Sequence, residues 1–388
     1  MIFFILFSLI SLDEALLNLQ KARGEIPAKK IQVEIIDKDK LEKYVNEAIR
    51  ETYGDQIEDF ERILSFFNLI EKDKKYKEEA ISLYKEQAAA FYNPKDFTLK
   101  VMEGISQDNI FLQMALIHEL MHALQDEKIK IYNEMQKRKR SYDSLMALQS
   151  FLEGEAILVP LISLADININ NEEEFSILKD NLTSLTENFE AFNIIENNFI
   201  TYEMLFPYKW GSDFVLYNLE KGKWKRIDEI YKMPPCTMEE ILHYNNNVSP
   251  PKDLLKISKK INFKGYKRGF STSFGESVIY YIFSKHNSKE EAKKNAEGWD
   301  GDQLTLFKKN GQNMILWLFH WDTENDLKEA LEGFKTFVKS EKLNLIPFVS
   351  KRSLALLFYK DEKPEISSRI FDIINKMEEQ NVYECKSK

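Results

Sequence analysis

Apolar positions along the chain change period several times, and each change predicts an element. An almost unbroken apolar run opens the sequence, from Ile2 to Leu12. Residues 31–36 then read as a short strand, and amphipathic helical text follows over about 39–67 and again over 76–90. Proline disfavours helix at the residue before it, so helix must stop at Phe91-Tyr92-Asn93-Pro94, after which 97–101 alternates like a strand. Over about 109–128, Ile110, Met114, Ile117, Met121 and Leu124 recur at spacings of three and four, which predicts a helix that packs this stripe inward. A further helix is expected from Asp143 and Ser144, both suited to capping an N-terminus, through Leu148 and Leu152 to about Val159, with Pro160 ending it. The Asn- and Glu-rich stretch 166–174 reads as a surface loop.

In the second half, 211–219 looks helical with Gly222 just past its end, and Thr237 with Glu240 forms a capping-box pattern that starts a helix carrying His243. Lys- and Gly-rich text over 262–269 lacks periodicity, and we place a domain boundary there. Residues 303–307 and 314–319 flank Asn310-Gly311, a pair favoured in tight hairpins. Thr323 then caps a helix bearing Leu327, Leu331, Phe334 and Val338, and 354–358 with 366–377 adds a strand and a helix. The predicted class is α+β: an N-terminal segment over 1–25, a helix-rich domain over 26–262 with a small sheet before its central helix, and a small α+β domain over 263–388.

Composition narrows the functional classes. The length of 388 residues exceeds one ordinary core and suits two domains, and 44% hydrophobic residues supply both. A formal charge of −9 leaves no general footprint for nucleic acid, which requires clustered cations facing phosphate. The basic cluster Lys137-Arg138-Lys139-Arg140 reads as a solvated connection between helices. Cys236 and Cys385 stand far apart with no C-x-x-C and no cysteine ladder, so neither a zinc knuckle nor a disulfide framework is expected. The opening apolar run is too short to span a bilayer. It suits a signal-peptide core, although no Lys or Arg precedes it and Asp13-Glu14 follow at once. The expectation is export to the medium or the cell envelope, with peripheral membrane association through this segment alone; the alternative is a core-buried helix start in a cytoplasmic protein.

The chemistry concentrates in His118-Glu119-Leu120-Met121-His122. On a helix, residues i and i+4 lie one turn apart on one face, so both imidazoles can reach one ion, while Glu119 is rotated toward a metal-bound water. Only five His occur in the chain and two fall here. A catalytic zinc takes a third protein ligand and leaves the fourth position open. Phe151-Leu152-Glu153-Gly154-Glu155-Ala156 offers Glu153, or alternatively Glu155, and the helix-interior Gly154 implies a close approach by another backbone or by the site itself. Asp126, one turn beyond His122, is the nearest acceptor in sequence for the second ring nitrogen of that imidazole. The same two-His, one-carboxylate set also suits iron or manganese.

HELMHALQD over 118–126 resembles the active-site helix of thermolysin-like gluzincins. FLEGEA over 151–156 resembles the EG-D/E-A segment of a little-characterised family of proposed bacterial and archaeal metallopeptidases. Residues 87–94, Phe206-Pro207-Tyr208, Pro234-Pro235-Cys236-Thr237 with Ile241-Leu242-His243, and Gly298-Trp299-Asp300-Gly301-Asp302 are similar to landmarks of that family in the same order, so the resemblance spans about 30–340. It implies a zincin-like catalytic domain holding one zinc ion on His118, His122 and Glu153. Glu119 would be the general base in hydrolysis of a peptide or protein substrate. Ile157 stands where thermolysin-like enzymes carry an Asp that orients a ligand His, so that support must be built differently. Gluzincins commonly add a His or Tyr donor for the oxyanion, and His243, Tyr208 and Tyr202 are the candidates. The rival is a non-catalytic zinc-containing peptide-binding or scaffold protein, which would have no need of Glu119. Serine or cysteine hydrolases and nucleotide enzymes lack their motifs here.

Overall fold

A computed structural model of the chain describes residues 2–105, 110–191, 198–244, 246, 248–366, 369–383 and 385, with 2–11, 183–191 and 369 described by their backbone alone. Helices and two small sheets make an α+β fold. The first half runs α1 (Ile2–Arg23), β1 (Gln32–Ile36), α2 (Lys38–Tyr53), α3 (Ile57–Phe66), α4 (Tyr76–Gln87), β2 (Ala90–Asn93), β3 (Thr98–Met102), α5 (Ile110–Ile129), α6 (Ile131–Arg138), α7 (Tyr142–Leu164), α8 (Glu172–Ala191) and α9 (Phe199–Ile230). After α10 (Met238–Leu242) and α11 (Leu255–Ser258) come β4 (Lys267–Thr272), α12 (Gly275–Ser284), α13 (Lys289–Ala296), β5 (Trp299–Lys309), β6 (Gln312–Trp321), α14 (Glu324–Ser340), β7 (Asn344–Ser350), β8 (Ser353–Tyr359) and α15 (Arg369–Ile374).

The expected helix over 39–67 is two helices. Gly54, at φ 57°, breaks it between α2 and α3, a conformation open to glycine and strained for other residues. Helix α4 stops at Gln87 because Ala90 already pairs with Val101 as the start of β2. Three strands in the order β1-β3-β2 form the small sheet, with β1 parallel and β2 antiparallel to β3, so β2 is an edge beside α5. Helix α5 itself is buried more widely than one stripe: Leu112, Leu116, Leu120 and Ala123 join Ile117, Met121 and Leu124 in the core. Ile110 is exposed instead, and Gln113, Met114, Ala115, His118, Glu119 and His122 form the partly open side. Two apolar sets on one helix leave this narrow face as its open side beyond the exposed first turn, Ile110 and Phe111.

Ser141, ahead of the expected cap, accepts the Ser144 N–H and starts α7, which continues through Pro160 to Leu164. Among the described residues α7 alone is long and apolar enough to cross a membrane, yet 72% of that window is buried in the fold, as expected of a core helix. Its tightest partner is α9. A Cβ on Gly154 would lie 2.1 Å from the Gly211 carbonyl carbon, and one on Gly211 would lie 1.8 Å from the Ser150 carbonyl oxygen. The close approach implied by Gly154 is thus by the α9 backbone. Helix α9 runs on through Pro207 and kinks at Gly222 and Lys223, the point expected to end it.

The second sheet has the order β4-β5-β6-β8-β7, antiparallel throughout. Asn310 and Gly311 turn its β5–β6 hairpin with φ of 48° and 82°, the positive values a two-residue turn demands. One face of this sheet, with Leu304, Leu306, Trp317, Phe319 and Leu356, belongs to the same apolar core as Leu19, Leu120 and Phe151 of the helical half. The other face packs Met314, Leu316, Leu318 and Leu357 against Leu254, Ile257, Ile370 and Ile374.

Two readings of the sequence are corrected here. Cys236 and Cys385 are joined in a disulfide across a separation of 149 residues, with Cα atoms 5.7 Å apart; the pairing depends on the chain end folding back past Pro251, which no spacing encodes. The basic cluster is not a solvated connection throughout, since Lys137 and Arg138 lie in α6 and the guanidinium of Arg138 is buried against the carbonyls of Pro235 and Ser144. Helix α1 joins the core from residue 12 onward, where Leu12, Ala15, Leu19 and Arg23 are buried against α5 and α7, while the side chains of 2–11 lie outside the described residues.

Candidate metal centre

Helices α5, α7 and α9 and the edge strand β2 converge on the HELMH turn. His118 Nε2 and His122 Nε2 lie 3.0 Å apart. Glu153, one residue before the α7–α9 glycine contact, brings its Oε2 to 3.1 Å from the first and 3.5 Å from the second. Bonds of about 2.0–2.1 Å in a tetrahedron separate donor atoms by about 3.3–3.4 Å, so this triangle has the size of one face of a zinc coordination shell. The three side chains are 14–15% exposed, desolvated yet reachable from outside.

No hydrogen-bond donor satisfies Glu153 Oε2, although it is buried. Burial acts to raise the pKa of this carboxyl, but the charge of His122 and the close approach of both imidazoles outweigh it and hold the group well below the usual carboxylate range. Burial likewise opposes charging of His122, and the Glu153 carboxylate overcomes it, lifting the imidazole to about 9. Three lone-pair atoms held this close would repel one another without a shared cation or proton between them.

Glu119 differs from Glu153 in its commitments. It also lies near the two imidazoles, with ligand atoms of His118, Glu119 and His122 within 4.8 Å of one another. Its Oε2, however, accepts the backbone N–H of Tyr92 in β2 at 2.6 Å. Burial, augmented by the Glu153 charge, raises its pKa, and the two His and the Tyr92 N–H offset this only in part.

The support for His122 falls on a residue not singled out in the sequence. Gln125, at i+3, receives the His122 Nδ1–H on its Oε1 at 2.8 Å. Its amide nitrogen donates to Leu152 O at 2.9 Å and to Glu155 Oε2 at 3.2 Å, both pure acceptors, so the amide cannot be flipped. Asp126, expected in this role, instead accepts from the Tyr92 hydroxyl at 3.0 Å and the Ile131 N–H at 2.7 Å, and so ties α5 to β2 and α6. Glu155 turns away from the imidazoles and takes Arg23 Nε at 2.8 Å and the Tyr231 hydroxyl.

Of the three oxyanion candidates, only Tyr208 stands at the centre. Its ring stacks 6.0 Å from that of His118 and its hydroxyl meets Glu153. Tyr202 is buried with its hydroxyl on Ser277 O at 2.6 Å. His243, just past α10, is held at 2.9 Å by Glu276 of α12. A cavity of about 930 Å³ between α2, α3, α4 and the β5–β6 turn is lined by none of these residues.

Residues 264–345, well under half of the chain, match a family described only as a domain of unknown function (DUF8575). This stretch runs from β4 to the first residues of β7 and contains none of His118, Glu119, His122 and Glu153. No curated protein and no solved structure matches the chain.

Proposed function

We propose that the chain is a zinc-dependent peptidase, with His118, His122 and Glu153 as ligands and Glu119 as general base. The observation that carries this reading is the convergence of three lone-pair atoms within 3.0–3.5 Å, one of them an oxygen with no donor. Glu153 is preferred to Glu119 as third ligand because one Glu119 oxygen is already bound to β2. A zinc ion held there supplies Lewis acidity, polarising a carbonyl and acidifying water.

The chain's own groups supply the remainder. Glu119, on the helix position next to the first ligand, takes the proton of the attacking water and returns it to the leaving amine. A carboxyl raised by burial is suited to both transfers. Tyr208, over His118, is placed to donate to the developing oxyanion. The outer edge of β2, where Glu119 holds the Tyr92 N–H, would offer its remaining backbone groups to an extended peptide. In a peptide-library cleavage assay with zinc, the parent should cleave and Glu119→Gln should lose at least about 100-fold in rate while keeping its zinc. Equal cleavage by the two would refute the role of Glu119.

A further inference from the structure

Resting on the metal site just proposed, we infer that Gln125 is the positioning residue for His122, and that α1 completes the metal centre by clamping this amide through Arg23 and Glu155. A run of hydrogen bonds leads from the imidazole to the N-terminal helix: His122 Nδ1 to Gln125 Oε1 at 2.8 Å, Gln125 Nε2 to Glu155 Oε2 at 3.2 Å, and Arg23 Nε to Glu155 Oε1 at 2.8 Å. Each link is directional. Because Leu152 O and Glu155 take both protons of the amide, its oxygen must face the imidazole. That oxygen fixes the proton on Nδ1 and leaves the Nε2 lone pair toward His118 and Glu153.

Glu155 is held in place by three donors, Arg23, the Gln125 amide and the Tyr231 hydroxyl, of which Arg23 alone is a cation. Its side chain has no exposure to water and Arg23 has 1%. The second guanidinium contact, Arg23 Nη2 to Asp228 Oδ1 at 2.5 Å, and Lys128 on the same aspartate at 3.0 Å, tie the clamp to α9 and α5. Trp224 stacks under the guanidinium at 4.6 Å and gives its indole N–H to Ala22 O. Without Arg23 the buried carboxylate loses its cation, and the Gln125 amide loses the fixed acceptor that sets it. The segment before residue 25, whose apolar start looks like a leader, therefore carries a residue on which metal affinity depends.

The test uses the full-length chain titrated with zinc against a competing chelator, with cobalt(II) absorption reporting ligand geometry. Arg23→Met and Gln125→Met should bind zinc about 10–100-fold more weakly than the parent, with altered cobalt spectra and parental circular dichroism. Lys21→Met, whose ammonium pairs with exposed Asp166, should leave both unchanged. The exchange Gln125→Glu with Glu155→Gln returns an acceptor to the imidazole and a donor to that carboxylate, though not the bond to Leu152 O, and should recover part of the lost affinity where Gln125→Glu alone does not. This rescue distinguishes positioning from mere packing, even if Arg23→Met does not fold. A parent that binds zinc tightly while Gln125→Met binds it equally well overturns the inference and leaves the metal site standing. A parent that binds no zinc overturns both.

Discussion

Glu153, half-buried, and Asp302, fully buried, are both carboxylates withdrawn from water, yet their surroundings differ in kind. Asp302, on β5, accepts from Ser273 Oγ at 2.7 Å, Gly275 N–H at 2.9 Å, Phe274 N–H at 3.0 Å and Trp317 Nε1 at 2.6 Å. Every lone-pair direction is used, and the group welds β5 to the start of α12. Burial raises its pKa against those donors, as befits a carboxyl among neutral groups. Glu153 has an oxygen without a donor and two imidazoles before it, and its pKa is driven the other way. Burial alone thus does not mark a site; unmet valence beside other ligand atoms does.

The widest separation between the two regions comes from truncating each carboxylate. Asp302→Ala strands four donors and should cost about 4 kcal/mol of stability in denaturant unfolding, with zinc affinity of the folded protein unchanged. Glu153→Ala should do the reverse, abolishing zinc binding while the metal-free protein stays within about 1 kcal/mol of the parent. Equal losses of stability would erase the distinction. Next in size, Gly154→Ala drives a methyl into the Gly211 carbonyl and should cost about 3 kcal/mol by forcing α7 from α9. Zinc should weaken too, since Glu153 and Tyr208 ride on those helices.

Cys385→Ser releases the disulfide. It should lower stability by about 2–3 kcal/mol under oxidising conditions, vanish as a difference in reductant, and leave zinc binding intact. The smallest effect is expected at Glu203 of α9, a carboxyl pushed up to about 7 by burial despite the bond it accepts from the Tyr76 hydroxyl at 2.7 Å. A raised folded-state pKa means stability that is complete below the unfolded value of about 4.5 and lost as pH rises through 7. Glu203→Gln should therefore gain about 1–2 kcal/mol on the parent at pH 8 and little at pH 4.5, measured as a difference in Tm. A gain independent of pH would contradict the assignment.

What could be read from the sequence followed the range of the interactions. The HELMH turn and the Asn310-Gly311 hairpin are local patterns, and both lie where periodicity puts them. The strands left unread, β4 and β7, are the two edges of the second sheet, where Lys267, Arg268 and Pro347 are tolerated because one side of the strand needs no partner. Pro160 did not end α7, since burial of both ends of that helix outweighs one lost backbone bond. Gln125, at i+3 from His122, is within reach of the same helical-neighbour argument that points to Asp126 at i+4, and sequence alone does not rank the amide against the carboxylate as acceptor. Arg23 is not: it stands within residues 1–25, the segment that reads as a leader, and its carboxylate partner lies 132 residues further on.

The most direct test of the metal centre is a count of bound zinc in the purified parent, Glu153→Ala, Glu155→Ala and Glu119→Gln. One zinc per chain in the parent and in Glu119→Gln, weakened binding in Glu155→Ala and none in Glu153→Ala is the predicted result. Zinc retained in full by Glu153→Ala, or no zinc in the parent after saturation and desalting, would contradict it.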